Sequence, residues 1–224
     1  MAEIKRKDLK EPKSSQEAIE IAESFFNDLV RYPNQDFYLR KGVCKDIGKN
    51  IAEEYYSLAL LAREYEQEYG TETRLYLFKD GNEGPDGEIQ FSSGMPPCKV
   101  QITCSNQGYS ARLMREQYAN KEVVFPNQTR ERDKTSKRVF TRGNILAERS
   151  ALLEERFNRI IVAIRVKNVK YHSDTHTLLV GEDPSNFEYL VGLHEKICEA
   201  IQNDPKSPYE RIYINFGGDL KRVK

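Results

Sequence analysis

Residues 84–104 read GPDGEIQFSSGMPPCKVQITC and carry the clearest structural signal in the chain. Within them, residues 84–91 and 99–103 are two short runs in which apolar and polar residues alternate, and residues 92–97 between them are rich in serine, glycine and proline. Alternation of this kind predicts β-strands, and turn residues between two such runs predict a hairpin.

The polar residues of this hairpin define a candidate site. Side chains two positions apart point to the same face of a strand, so Lys99, Gln101 and Thr103 share one face, and Asp86 and Glu88 share another. If the two polar faces converge, two carboxylates, a carboxamide, an ammonium and a hydroxyl meet at one spot, which suits a divalent cation. The alternative is an ordinary half-solvated hairpin, in which Gly-Pro-Asp-Gly serves only as turn chemistry.

The overall composition narrows the class of protein. The chain has 224 residues, with 35 Lys and Arg against 35 Asp and Glu, so its formal net charge is zero. A neutral chain does not coat nucleic acid or membranes by bulk charge, although a local basic patch is still allowed. No Cys-x-x-Cys spacing, apolar leader or long apolar run is present. We therefore expect a cytoplasmic protein with reduced thiols and no membrane partner.

Helix and strand signals follow one another in a regular order. Ser14 and Glu17 have the spacing of a capping box, which predicts a helix beginning there. A longer helix is predicted over residues 45–68, with Gly70 as its C-terminal stop. Further helices are predicted near 109–119, 144–167 and 184–203, and further strands near 73–79, 177–180 and 211–216. We expect residues 1–13 to form a mobile arm and residues 14–224 to form one domain.

Residues 121–142 interrupt this pattern with a basic insertion. Its cations outnumber its acids, and the five that we expect to bind nucleic acid are Arg130, Arg132, Lys134, Lys137 and Arg138. With little apolar content, the insertion is expected to be mobile when free and to contribute a salt-sensitive part of any binding to nucleic acid.

The helix over residues 45–68 supplies a third candidate carboxylate. Glu54 falls three residues after Ile51 and four before Leu58, at the edge of the apolar stripe. A carboxylate on an apolar face is costly unless it is paired or binds a cation, so Glu54 is the candidate metal ligand from this helix. The alternative is that Glu54 lies at the border of the stripe and reaches water.

The order of elements and the hairpin together resemble the PD-(D/E)XK nuclease-like superfamily over residues 45–216. Asp86 after Pro85 matches the first motif of that superfamily, and Gln101 matches the first residue of the second motif. Thr103 stands where the motif has a lysine, and Lys99, on the same strand face as Gln101, is the candidate to replace it. The resemblance implies a restriction-endonuclease-like α/β core, with a central mixed β-sheet of about five strands flanked by helices.

The resemblance also implies a function. It predicts Mg²⁺-dependent cleavage of DNA, with Asp86, Gln101, Lys99 and Glu88 as catalytic residues, and with Asp86, Glu54 and Gln101 around the metal. A homodimer is common where two strands are cut, and no organic cofactor is expected. Two alternatives from other classes stay open. In the first alternative the chain is a non-catalytic module that keeps the same fold and binds nucleic acid or protein. In the second it is a structural subunit of a larger assembly.

Overall fold

The computed structural model describes residues 6–31, 50–78, 84–105, 129–132, 139–142, 149–171, 173–181, 192–203 and 207–224. The helices in these ranges are α1 (Ser15–Arg31), α2 (Tyr56–Tyr69), α3 (Arg149–Val169) and α4 (Leu193–Asn203). A 3₁₀ turn at Arg6–Lys10 precedes α1, and a π-helical turn at Asn50–Tyr55 leads into α2. The strands are β1 (Lys13–Ser14), β2 (Thr73–Leu77), β3 (Gly87–Phe91), β4 (Cys98–Cys104), β5 (Thr129–Arg132), β6 (Val139–Arg142), β7 (Thr177–Gly181), β8 (Arg211–Phe216) and β9 (Asp219–Arg222).

Seven of these strands form one mixed sheet in the order β1-β2-β3-β4-β7-β8-β9. The strands β1 to β4 are antiparallel neighbours, β4, β7 and β8 are parallel, and β9 returns antiparallel to β8. The predicted α/β class is confirmed. The sheet has seven strands where about five were expected, because β1 and β9 are too short for hydrophobic alternation to reveal them. The strands β5 and β6 pair separately as a two-stranded ribbon.

The sheet separates two hydrophobic cores, because successive side chains of a strand point to opposite faces. On the first face, α1 and α2 pack over the alternate strand residues Leu75, Leu77, Ile89, Val100, Ile102 and Leu179. On the second face, α3 and α4 pack over the intervening residues Leu178, Val180, Ile212 and Ile214. In the described residues, no helix is long and apolar enough to cross a lipid bilayer.

The start of α1 has the predicted capping box. The Ser14 N–H donates to Glu17 Oε2 at 2.9 Å, and the Glu17 N–H donates back to Ser14 Oγ at 3.2 Å. This hydrogen bonding lowers the pKa of Glu17. The segment expected to be a mobile arm is partly folded in its described residues: Leu9 is buried in the first core, and β1 pairs with β2.

The other predicted helices match the structure to different extents. Gly70 ends α2 in the left-handed region at φ 61°, as predicted for a C-terminal stop. The helix expected over 144–167 is observed as α3, and the one expected to end near 203 is observed as α4 from Leu193 onward. Residues 45–49, the helix expected near 109–119 and residues 182–191 lie outside the described residues.

Candidate functional site

The hairpin places Asp86 directly opposite Gln101. Asp86 precedes β3, but its backbone continues the sheet, since its N–H donates to the Val100 carbonyl at 2.9 Å and its carbonyl accepts from the Phe78 N–H at 3.0 Å. In the register of β3 and β4, Gly87 pairs with Val100. Both of those residues belong to the first face, so Asp86 and Gln101 share the second face.

The structure brings these two predicted residues into contact. Gln101 Nε2 donates a hydrogen bond to Asp86 Oδ2 at 2.6 Å, and the Ile102 backbone N–H donates to the same oxygen at 2.7 Å. Two donors from β4 therefore fix the carboxylate of Asp86. Gln101 is buried, with 5% of its surface exposed, and its Oε1 atom has no hydrogen-bond partner.

The ammonium at this carboxylate comes from Lys167, in the last turn of α3. Lys167 Nζ lies 3.6 Å from Asp86 Oδ2, and the Lys167 side chain is 19% exposed. The sequence prediction did not include this residue. The sequence does contain a signal for Lys167. It follows Ile160 and Ile164 at helical spacing, so a cation continues the buried apolar stripe of α3.

Residues 207–209 hold the end of α3 in place. Tyr209 is fully buried, and its hydroxyl donates to the Lys167 carbonyl at 3.3 Å. Ser207 Oγ donates to Asn168 Oδ1 at 3.0 Å. Burial raises the pKa of Tyr209 to about 12, and the charge of Asp86 adds to this effect. Tyr209 therefore stays protonated and can donate to the helix end near Asp86.

Lys99, the predicted replacement for the motif lysine, pairs with a different carboxylate. Its Nζ donates to Asp174 Oδ2 at 2.6 Å in an ion pair whose side chains are 35% and 52% exposed. This hydrogen bond raises the pKa of Lys99 and lowers the pKa of Asp174. Lys99 was expected to replace the motif lysine beside Asp86, but the ammonium that lies at Asp86 belongs to Lys167.

Glu88 is buried on the same face but is held by its own neighbours. Its Oε1 accepts from the Tyr76 hydroxyl at 2.8 Å and from Gln90 Nε2 at 3.0 Å. These bonds compensate for the burial of the carboxylate, which is 7% exposed. Thr103, at the position of the motif lysine, is half-buried at the end of β4.

Glu54 lies in the π-helical turn, where it is half-buried. Ile51 and Tyr55 of the same turn are buried in the core of the first face, together with Val100 and Ile102. The turn therefore packs on the face of the sheet opposite to Asp86 and Gln101. A ligand role for Glu54 stays a prediction.

The basic insertion contains the ribbon formed by β5 and β6. In this ribbon Arg130 pairs with Thr141, and Arg132 pairs with Val139. The insertion is thus partly strand where the sequence suggested only a loop. Lys134, Lys137 and Arg138 lie outside the described residues.

Two side-chain oxygens at Asp86 are the candidates for contact with a cation, one on Asp86 and one on Gln101. Within the described ranges, no group of three or more His, Cys, Asp and Glu side chains could hold a metal ion. All three contacts of Asp86 given above use Oδ2, which leaves Oδ1 for a further ligand. The unpartnered Oε1 of buried Gln101 is a second oxygen. Mg²⁺ binds proteins through one or two carboxylates plus waters, so this donor set suits it better than a metal that needs a full protein cage.

Comparisons with known proteins do not extend this description, since no protein-family model, curated protein or solved structure matches the chain.

Proposed function

We propose that the chain is a Mg²⁺-dependent phosphodiesterase of the PD-(D/E)XK type that cleaves DNA in the cytoplasm. The observation that carries the proposal is the meeting of a carboxylate, a carboxamide and an ammonium at one point of the sheet, from Asp86, Gln101 and Lys167. Two of these residues were selected from the motif in the sequence, and the third supplies the charge that the motif lysine would have carried.

The order of elements also supports the proposal. Helix α2 is followed by the antiparallel strands β2, β3 and β4. After the separate ribbon of β5 and β6 come helix α3 and then β7, which is parallel to β4. This is the helix, three-strand meander, helix and strand order on which the resemblance rests. Asp86 directly precedes the second of these strands and Gln101 lies on the third, where the resemblance expects its two motifs, although Thr103 stands in place of the motif lysine.

Each residue of the site has a role in this chemistry. If Mg²⁺ is bound here, the chemistry that it would supply is polarisation of the phosphate and a lowered pKa of a bound water molecule. Asp86 Oδ1 and Gln101 Oε1 are the oxygens that would hold it. Lys167 provides a positive charge for the phosphate, since an ammonium stabilises charge that develops during phosphoryl transfer. The Ile102 N–H and Gln101 Nε2 keep the carboxylate of Asp86 in place.

The test is cleavage of plasmid and single-stranded DNA with Mg²⁺ or Mn²⁺, with and without EDTA. We expect wild-type activity to be abolished by EDTA and by Asp86→Asn, which keeps the side-chain shape and removes the charge. The matched control is Asp174→Asn, the same chemical change in an exposed carboxylate that pairs with Lys99. This control is expected to cleave like wild type. Equal activity of wild type and Asp86→Asn would contradict the proposal.

One observation favours a second candidate, the non-catalytic binding module. Asp86 Oδ2 is already satisfied by two hydrogen bonds and one ammonium without any cation. A wild-type protein that binds DNA but cleaves neither substrate with any added metal would support this candidate against the enzyme.

A further inference from the structure

Two aromatic side chains lie beside Asp86 and belong to neither core of the described residues. Tyr76 and Phe78 are both half-buried, and their rings are 5.4 Å apart at 75°. Thr73, Leu75 and Leu77 of the same strand are buried on the first face. By alternation, Tyr76 and Phe78 lie on the second face with Asp86 and Gln101.

The register sets these rings next to the proposed catalytic residues. Tyr76 pairs with Glu88, and its hydroxyl is bound to that carboxylate, which fixes the ring. Phe78 lies opposite Asp86, because its N–H donates to the Asp86 carbonyl at 3.0 Å. Neighbouring strands are separated by about 5 Å, so the Phe78 ring is one strand away from the carboxylate.

Cations accompany the rings on this face. Arg74, two residues before Tyr76, is exposed, and Lys167 Nζ lies 3.6 Å from Asp86 Oδ2. A half-exposed aromatic pair flanked by cations matches the way proteins hold unpaired strands, in which bases stack on rings and phosphates contact Lys and Arg. In a duplex the faces of the bases are already stacked on each other, so a ring beside the scissile phosphate has no base to contact.

We propose that Tyr76 and Phe78 form a stacking platform for the bases of a single-stranded DNA segment and that this segment is the substrate of the Asp86 site. The inference rests on the proposed function and makes its substrate class specific. The bases stack on the two rings while the backbone passes the site between Asp86 and Lys167.

The experiment measures binding of fluorescein-labelled oligo-dT and of a duplex of the same length at one salt concentration. The variant Phe78→Leu keeps an apolar side chain and removes the ring. The matched control is Phe91→Leu, the same change at a ring that packs against Tyr65 and Tyr69 on the first face. We expect Phe78→Leu to weaken single-strand binding about tenfold, with duplex binding unchanged. Phe91→Leu is expected to bind single strands like wild type.

A second readout reports stacking directly. A 2-aminopurine base in the single strand is expected to be quenched on binding to wild type and to Phe91→Leu, and not on binding to Phe78→Leu. Equal single-strand binding by wild type and Phe78→Leu would overturn the inference and leave the proposed cleavage standing if cleavage is observed. Ring-dependent binding without metal-dependent cleavage would uphold the platform and refute the enzyme. A wild type that does not bind single strands at all would refute the platform.

Discussion

At the scale of single residues, Lys167 is a charged residue in the stripe of α3 that faces the sheet, where the other side chains are apolar. An ammonium that is 19% exposed loses part of its hydration, and Asp86 at 3.6 Å provides the opposite charge that offsets this loss. The hydroxyl of Tyr209 and the side chain of Asn168 hold the helix end from which Lys167 extends. The position of this cation is therefore fixed by helix α3, by residues 207–209 and by Asp86.

This placement predicts different outcomes for the two lysines near the hairpin. Lys167→Met keeps the length of the side chain and removes its charge, so we expect metal-dependent cleavage to fall about 100-fold. Lys99→Met removes an exposed ion pair with Asp174 and is expected to change cleavage less than about threefold. The measurement is the single-turnover rate at saturating metal for both variants. A larger loss in Lys99→Met than in Lys167→Met would return the role to the lysine that the sequence suggested.

Most residues of the site could be predicted at this scale from the sequence. Lys167 could not, and the reason is physical. Asp86 and Gln101 lie on adjacent strands of one hairpin, so period-two alternation and a short turn suffice to bring them together. Lys167 reaches them only because α3 packs across the second face of the sheet. Alternation within a strand carries no information about which helix will cover it. A cation in a buried helical stripe was the available clue.

At the scale of elements, β5 and β6 form a two-stranded ribbon in the described residues of the basic insertion. Its four pairs run from Thr129 with Arg142 to Arg132 with Val139. Short hairpins gain little stability of their own, and a ribbon with several cations is suited to contact the phosphate backbone of a nucleic acid.

We predict that the basic insertion sets the salt dependence of DNA binding. Replacement by glutamine of the five cations Arg130, Arg132, Lys134, Lys137 and Arg138 is expected to weaken binding at low salt. The slope of log affinity against log salt concentration should become shallower by about 0.7 for each cation that contacts a single-stranded phosphate. Glu131→Gln, a change in the same ribbon that removes an acid, is the control and should not make the slope shallower. An unchanged slope in the five-site variant would exclude these cations of the basic insertion from the interface.

Element boundaries show where sequence periodicity stops being informative. The strands β2, β3, β4, β7 and β8 have alternating or continuous apolar residues and were predicted. The edge strands β1 and β9 are two and four residues long and bury little, so only pairing with a neighbour defines them. For the same reason the sequence predicted a mobile arm over residues 1–13, although Leu9 is buried.

At the scale of the whole molecule, tyrosines are built into both cores. Tyr55, Tyr65 and Tyr213 are buried on the first face, and Tyr209 is buried on the second. Burial raises the pKa of each of these hydroxyls, that of Tyr209 to about 12. A tyrosine in the unfolded chain has a pKa of about 10. The folded state therefore keeps protons that the unfolded chain releases above pH 10.

The sign of the resulting pH dependence follows from proton linkage. When the folded-state pKa is raised, the stability is fully present below the unfolded pKa and is lost as the pH rises toward the folded pKa. The free energy of unfolding is expected to fall between about pH 10 and pH 12, with each such tyrosine contributing about 1.4 kcal/mol per pH unit.

Tyr209→Phe removes one of these tyrosine hydroxyls and also a hydrogen bond worth about 1 kcal/mol. Urea unfolding should therefore show the variant about 1 kcal/mol less stable than wild type at pH 8. Wild type loses about 1.4 kcal/mol more than the variant by pH 11, so the gap should close or slightly reverse there. Phe91→Leu, which changes no titratable group, should stay parallel to wild type over the same range. Parallel curves for Tyr209→Phe and wild type would show that the hydroxyl of Tyr209 titrates alike in the folded and unfolded states, and would contradict its burial beneath the Asp86 site.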